Sequence, residues 1–159
     1  MLYKHKKGFT AVEILITLAI LGILGSIVIG GFNSLNRRQA IDKDALLVVA
    51  ILNEARSLTI SSKEDSKYGV HVDETESDSE IVLFKGNSYS SSDPDNITSG
   101  LSTYSEISAH SLSGSGDDII FERLTGSTAN TGTITLRLRS DNSVTRTITV
   151  GATGVIDSN

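Results

Sequence analysis

The first part of the chain joins a basic head to a long apolar run. The run extends from Ile14 to Asn36, 23 residues without a charge, and is mostly Ile, Leu, Val, Ala and Gly. As an α-helix it would be about 34 Å long, enough to cross a hydrocarbon core of roughly 30 Å. Glu13 stands at the start of the run, directly after the basic segment 4–7. Because an ionised group in mid-bilayer costs about 2.5–3.5 kcal/mol, the pattern indicates a functional role for Glu13.

Helical periodicity continues beyond the apolar run and predicts one helix from about Thr10 to Ser61. In its second part, apolar residues recur every three or four positions, which is typical of an amphipathic helix that packs on a core. The predicted buried stripe consists of Ile41, Ala45, Val48, Leu52, Ala55 and Thr59, widened by Leu46, Val49 and Leu58. The charged residues Asp42, Lys43, Asp44, Glu54 and Arg56 are predicted to lie off this stripe.

Alternating apolar and polar residues after residue 61 predict an antiparallel β-rich domain. The strand candidates are Tyr68–Val72, Glu80–Lys85, Tyr104–Ile107, Asp118–Arg123 and a hairpin from Thr133 to Val150 that turns at Asp141–Ser143. Ser88–Ser102 is predicted to be a long loop. Arg146 interrupts the alternation of the hairpin, which is compatible with a bulge, an edge position or a partly buried side-chain stem. The predicted fold class is therefore α+β, with a long N-terminal helix, its first half transmembrane, followed by a β-rich globular domain.

Two ordinary explanations compete for the apolar run. A secretory signal peptide would have a shorter apolar region and a small-residue cleavage site after it, and Gly30–Gly31 is a poor match to such a site. A plain single-pass anchor is the default by hydropathy alone. Neither explanation accounts for the combination of basic residues, Gly8, Phe9 and Glu13.

The segment Lys6-Lys7-Gly8-Phe9-Thr10-Ala11-Val12-Glu13 resembles the type III signal of type IV prepilins and type II secretion pseudopilins. The resemblance implies that a prepilin peptidase cuts between Gly8 and Phe9 and methylates the new amine of Phe9. It also matches Glu13 to the family's glutamate, five places into the mature chain. The chain then divides into a leader (1–8), a transmembrane assembly helix (9–36), its amphipathic continuation (37–61) and an external β-rich domain (62–159).

Physical roles follow for the residues of this signal. Gly8 lacks a side chain that would obstruct a protease. Glu13 can pair with the amine of a neighbouring subunit when helices leave lipid, since a buried charge needs a partner; the alternative is that it only reaches for the headgroups. Gly22, Ser26 and Gly30 recur at four-residue steps, a spacing that lets helices approach closely in a membrane.

The resemblance implies an assembly function in the bacterial inner membrane. The expected partners are the prepilin peptidase/N-methyltransferase, other pilin or pseudopilin subunits, the inner-membrane assembly platform, and membrane lipid before assembly. Three lysines before the helix favour a cytoplasmic N-terminus and a periplasmic or external C-terminal domain. The helix end Asn53–Arg56, the strand at Tyr68–Val70 and the closing hairpin are similar to the GspH/FimT group of minor pseudopilins and pilins. The expected function is that of a structural subunit, a minor pilin or pseudopilin.

The alternative function is that of a DNA-binding minor pilin used in DNA uptake. The only local basic cluster of the predicted external domain is Arg137, Arg139 and Arg146 on the hairpin. The whole chain has a net charge of −5; without the three leader lysines, 11 of the 14 basic residues remain against 19 acidic ones, a net charge of −8. Such a balance opposes encounter with phosphates, so nucleic acid is not expected as a partner.

Catalytic chemistry finds no support in the sequence. The chain has no cysteine, and its histidines, His5, His71 and His110, lack metal-ligand spacing. The expectation is therefore no enzyme activity, no cofactor and no metal. The acidic run from Asp73 to Glu80 leaves two interpretations open, a solvated loop or oxygen ligands for Ca²⁺, although the EF-hand pattern is absent.

Overall fold

The computed structural model describes residues 8–74, 79–114 and 116–159, without the side chains of residues 27–34. Within these residues the order of elements is one long helix followed by strands, which confirms the α+β class. The helix, α1, is Ala11–Ile60, and a 3₁₀ turn at Lys63–Asp65 follows it. The strands are β1 Tyr68–Asp73, β2 Glu80–Lys85, β3 Ile97–Gly100, β4 Ser105–Leu112, β5 Asp118–Ile120, β6 Gly132–Leu138, β7 Asp141–Val150 and β8 Ile156–Ser158.

The chain divides into two compact units, Met1–Asn36 and Arg37–Asn159. The first contains the beginning of α1, and the second contains the rest of α1 and the strands. Among the residues that the structure describes, no helix is long and apolar enough to cross a membrane. The predicted transmembrane character of the first half of the helix is therefore not confirmed.

The strands of the second unit form two antiparallel four-stranded sheets. The first sheet has the order β3-β2-β1-β5, and the second has the order β4-β6-β7-β8. Two strands were not expected from the sequence: β3 lies inside the predicted Ser88–Ser102 loop, and β8 follows the hairpin. Both are short edge strands whose polar residues give little periodic signal. In addition, β4 extends to Leu112, whereas β5 ends at Ile120, before the predicted limit of Arg123.

The β6–β7 hairpin turns earlier than predicted. The last residue of β6, Leu138, pairs with Asp141, so residues 139–140 form the turn, while Arg137 pairs with Thr145. Residues 142–144 are therefore an irregularity within β7. Asp141 Oδ1 accepts hydrogen bonds from Ser143 N at 3.0 Å and Ser143 Oγ at 2.6 Å, and these bonds lower the pKa of Asp141. The predicted turn residues thus form a local Asx turn beside the hairpin's end.

The core of the second unit lies between α1 and the inner faces of both sheets. All six residues of the predicted helix stripe, from Ile41 to Thr59, are buried. Leu46 is not: it is 64% exposed, so the predicted widening of the stripe is wrong there. The strands contribute the remaining buried residues, among them Val70, Ile81, Ile119, Phe121, Ile134, Leu136, Ile148 and Val150.

A second expectation was wrong for Asp44, which was predicted to lie off the buried stripe and is only 7% exposed. Its carboxylate accepts hydrogen bonds from Ser102 N at 3.2 Å and Ser102 Oγ at 2.6 Å, and a short one from Ser105 Oγ. These donors replace the water that a buried carboxylate loses. Asp44 therefore fastens α1 to the beginning of β4.

Arg56 was also predicted to lie off the stripe, yet it holds two loops against the end of α1. Its Nε donates to Gly126 O at 3.2 Å, and its Nη2 lies 3.5 Å from Thr153 O. Gly126 and Gly154 have φ of +66° and +72°, and a Cβ on Gly154 would lie 1.8 Å from Gly126 O. Only glycine at position 154 permits this approach of the two loops.

We expect Asp44→Ala to destabilise the second unit by about 2–4 kcal/mol, since it leaves the buried Ser105 and the half-buried Ser102 without their charged acceptor. The matched control is Asp42→Ala, two positions away. Asp42 lies on the surface and pairs with Arg146, so its loss should cost about 0–1 kcal/mol. Urea unfolding of the wild type and the two variants measures their free energies of unfolding. An equal loss of this free energy in both variants would contradict the role of Asp44.

Candidate processing and assembly site

Gly8 and Phe9 lie immediately before α1, outside the helix. Phe9 is 80% exposed, and a Cβ placed on Gly8 would meet no atom within 4 Å. The peptide bond between them is therefore free of helical hydrogen bonding and open to approach. Residues 1–7 of the predicted leader lie outside the described residues.

Thr10 determines where the helix begins. Glu13 N donates to Thr10 Oγ1 at 3.2 Å, and Ile14 N donates to Thr10 O at 3.2 Å, so Thr10 is the N-cap of α1. This role of Thr10 was not predicted, although Thr10-Ala11-Val12-Glu13 has the Thr-x-x-Glu spacing of a capping box. Glu13 lies in the first turn, where a negative charge interacts favourably with the helix dipole.

The first turns of α1 expose apolar side chains on every side. Glu13 shares this surface, and every residue from Gly8 to Ser26 is exposed. Large apolar residues at least half exposed include Val12, Ile14, Leu15, Ile16, Leu18, Ile20, Leu21, Ile23 and Leu24. An apolar surface of this extent is typical of a segment that functions in contact with other apolar groups.

The predicted packing residues Gly22, Ser26 and Gly30 all belong to α1, so their four-residue spacing puts them on one face. A Cβ on Gly22 would meet no atom within 4 Å. Ser26 Oγ donates to Ile23 O at 2.7 Å, which satisfies its hydroxyl within the helix. The surroundings of Gly30 lie outside the described residues.

Two of the hairpin arginines converge on one carboxylate. Arg137 Nε donates to Glu106 Oε1 at 2.9 Å, and Arg137 Nη2 makes a short contact with the same oxygen. Arg139 Nη1 lies 3.0 Å from Glu106 Oε2, and Arg139 Nε donates to Ser105 O at 3.2 Å. Both guanidinium groups are thus engaged at the β4–β6 pairing.

Arg146 lies on the opposite side of the second sheet. Arg146 pairs with Leu136, and directly opposite residues of neighbouring strands point to the same face of a sheet. Leu136 is fully buried, so Arg146 is on the core-facing side. Arg137 follows Leu136 in the strand and therefore points to the other face. Arg146 Nε donates to Asp42 Oδ1 at 2.8 Å, and its Nη2 lies 2.7 Å from the same oxygen. The structure therefore does not bring the three predicted arginines together into one patch.

The predicted acidic run is only partly described, because Glu76 and Asp78 lie outside the described residues. Glu74 contacts His110, and Glu80 begins β2. Among the residues that the structure does describe, no group of three or more His, Cys, Asp or Glu side chains is arranged to hold a metal ion.

Comparison with known proteins adds one finding. The family model described as "Prokaryotic N-terminal methylation motif" matches residues 3–29. The match supports the prepilin-type signal, and it includes Gly8, Phe9, Glu13, Gly22 and Ser26. No curated protein and no solved structure matches the chain.

We expect Arg37–Asn159 to bind duplex DNA weakly, because Arg137, Arg139 and Arg146 are paired with carboxylates and the acidic residues of the fragment outnumber its basic ones. A fluorescence anisotropy titration at physiological salt measures the affinity. Sub-micromolar binding that weakens steeply with salt, and is lost when Arg137, Arg139 and Arg146 become Ala, would contradict this expectation. Arg123→Ala is the control, since Arg123 pairs with Asp65 on another part of the surface.

Proposed function

We propose that this chain is a structural subunit, a minor pilin or pseudopilin, of a type IV pilus or a type II secretion pseudopilus. A prepilin peptidase cuts it between Gly8 and Phe9 and methylates the amine of Phe9. Before assembly the apolar part of α1 anchors the protein in the bacterial inner membrane, with the N-terminus cytoplasmic and the β-rich domain periplasmic. Its further partners are other pilin subunits and the inner-membrane assembly platform.

The proposal rests on the agreement between the methylation motif and the local structure around Gly8 and Phe9. The methylation motif covers residues 3–29, and within it Gly8 and Phe9 are exposed and precede the helix N-cap at Thr10. A protease needs its scissile peptide bond in an open, non-helical backbone, because a helix holds the peptide groups in internal hydrogen bonds. The sequence signal and the local geometry therefore support the same bond as the cleavage site.

The exposed surface of α1 supports assembly through this helix. Its apolar residues require lipid or other helices as surroundings, and Gly22 and Ser26 offer a face of small residues for close approach. After cleavage, the new amine of Phe9 is a positive charge one turn before Glu13. In a bundle of such helices, Glu13 would pair with the amine of a neighbouring subunit and avoid an uncompensated charge.

We place the β-rich domain on the outside of such a fibre. Two antiparallel sheets packed on the second half of α1 are compatible with the layout of the GspH/FimT group, to which the helix end and hairpin are similar. The DNA-uptake alternative is weaker, because Glu106 and Asp42 neutralise the arginines on which it depends. We therefore place assembly ahead of nucleic-acid binding.

Replacing Gly8 with Val should leave the precursor uncut, because a β-branched side chain obstructs approach to the Gly8–Phe9 bond. Mass spectrometry of the wild-type protein should find a mature chain that begins with N-methyl-Phe9. Gly22→Val is the matched control, since it adds the same side chain at an open position away from the Gly8–Phe9 bond and should be cut normally. A mature N-terminus at Phe32 or later would instead establish an ordinary signal peptide.

Replacing Glu13 with Ala should leave membrane insertion intact or improved, because it removes a charge from lipid. Incorporation into filaments should fall about a hundredfold or more, since one unpaired buried charge costs about 3–5 kcal/mol. Thr17→Ala, one turn along the helix, is the control, because the Thr17 hydroxyl bonds only to Ile14 O. Quantitative immunoblotting of purified filaments measures this subunit, and normal incorporation of the Glu13 variant would exclude the pairing role.

A further inference from the structure

Two adjacent aspartates, Asp117 just before β5 and Asp118 at its first position, contact residues on other strands of the second unit. Asp117 Oδ1 lies 3.0 Å from His110 Nε2, and His110 belongs to β4 of the other sheet. Asp118 Oδ1 lies 2.6 Å from His71 Nδ1 on β1, and Asp118 Oδ2 accepts a bond from Tyr89 N at 3.1 Å. Successive strand residues point to opposite faces, so the two aspartates serve two different surfaces.

His110 lies between carboxylates on both sides. Its Nδ1 makes a short contact with Glu74 Oε1, while its Nε2 faces Asp117. It pairs with Ile134, which is fully buried, so its side chain is on the core-facing side of the second sheet, and it is only 15% exposed. Glu74 directly follows β1 and Asp117 directly precedes β5, so both carboxylates are attached to strands of the first sheet. The imidazole therefore bridges the two sheets at one end.

The geometry around His110 requires a particular protonation state. A carboxylate only accepts hydrogen bonds, so a ring nitrogen that faces it must carry a proton. A neutral imidazole has one such nitrogen, and its second nitrogen would present a lone pair to a carboxylate. Only the doubly protonated, positively charged ring satisfies Glu74 and Asp117 together.

His71 differs from His110 in this respect. One of its nitrogens, Nδ1, faces a carboxylate, and the neutral tautomer with hydrogen on Nδ1 can still donate to Asp118. Its ring also stacks on Tyr89, with 3.9 Å between ring centroids and an interplanar angle of 11°. The contacts of His71 therefore survive loss of its charge, whereas those of His110 do not.

Most of the charged groups around His110 are carboxylates. Carboxylates come from the end of β1, from β2 and from β5, and the neighbouring cations are already bound to Glu106 at the β4–β6 pairing. A pocket of about 410 Å³ lies beside this bridge and is lined by Glu74, Glu106, Ser108, Arg137 and Arg139. The charged residues on or beside these elements include Asp73, Glu74, Glu80, Glu106, Asp117, Asp118, Arg137 and Arg139, and His71 is a further titratable group on β1.

We propose that His110, Glu74 and Asp117 form a proton-dependent clasp that fastens the two sheets together. The cationic ring gains two carboxylate partners in the folded protein and has none in the unfolded chain. The stabilisation is therefore present while the ring is cationic, and it is lost when a rise in pH removes the second proton of the ring. This inference does not depend on the proposed assembly function.

Thermal unfolding of the full-length chain in a neutral detergent tests the clasp, with the β-sheet circular dichroism signal as readout. At pH 5.5 the wild-type protein should unfold about 3 °C or more above His110→Gln, and at pH 8 this difference should disappear. His71→Gln is the matched control, and its difference from wild type should change little between the two pH values. Parallel pH profiles of wild type and His110→Gln would overturn the proposal.

Nitrogen-15 NMR of the histidine rings supplies a test that needs no His110 variant to fold. In the wild-type protein at pH 5.5, both ring nitrogens of His110 should carry protons, and at pH 8 one of them should have lost its proton. A neutral His110 ring at pH 5.5 would refute the clasp, whatever the unfolding temperatures show.

Discussion

The fold of the second unit depends on the apolar stripe of α1 between Ile41 and Thr59. Both sheets bury their inner faces against this stripe, and its central residues, Val48 and Leu52, are fully buried. Neither sheet is large enough to bury its apolar face alone, since each has four strands and some of these have only three or four residues. The helix therefore provides the common surface on which the β-rich domain is built, and polar contacts such as that of Asp44 fix how the strands meet it.

Sequence periodicity predicted the helix and its buried stripe because burial repeats with the helical period over several turns. It failed where a single residue's partners are distant in sequence. Asp44 is polar and belongs by pattern to the surface, yet its acceptor role depends on Ser102 and Ser105, about 60 positions away. The strand β3 was missed for a related reason, since it is defined by pairing with β2 and not by its own side chains. The N-cap at Thr10, by contrast, could have been predicted from the local Thr-x-x-Glu spacing.

Electrostatic pairing joins many of the basic side chains of this acidic domain to carboxylates. Its basic side chains mostly join segments that are far apart in sequence: Lys67 lies 2.7 Å from Glu122, and Lys85 lies 2.5 Å from Glu64 and lowers the pKa of that carboxyl. Such exposed pairs contribute about 0–1 kcal/mol each, so they orient loops more than they stabilise the fold. Arg137 and Arg139 both pair with Glu106, whereas Arg146 pairs with Asp42 on the other side of the sheet. The three arginines that are close in sequence therefore do not form one positive cluster in the structure.

The two ends of α1 satisfy different physical requirements. Around Gly8 and Phe9 the backbone is open, and the helix begins only where Thr10 caps it, which keeps a peptide bond accessible beside an apolar segment. From Arg37 onward the same helix packs on a core to which, among the residues that the structure describes, only residues from Ile41 onward contribute. Gly8 and Phe9 are both exposed and lie outside that core, so the candidate cleavage site and the core use different residues of one chain.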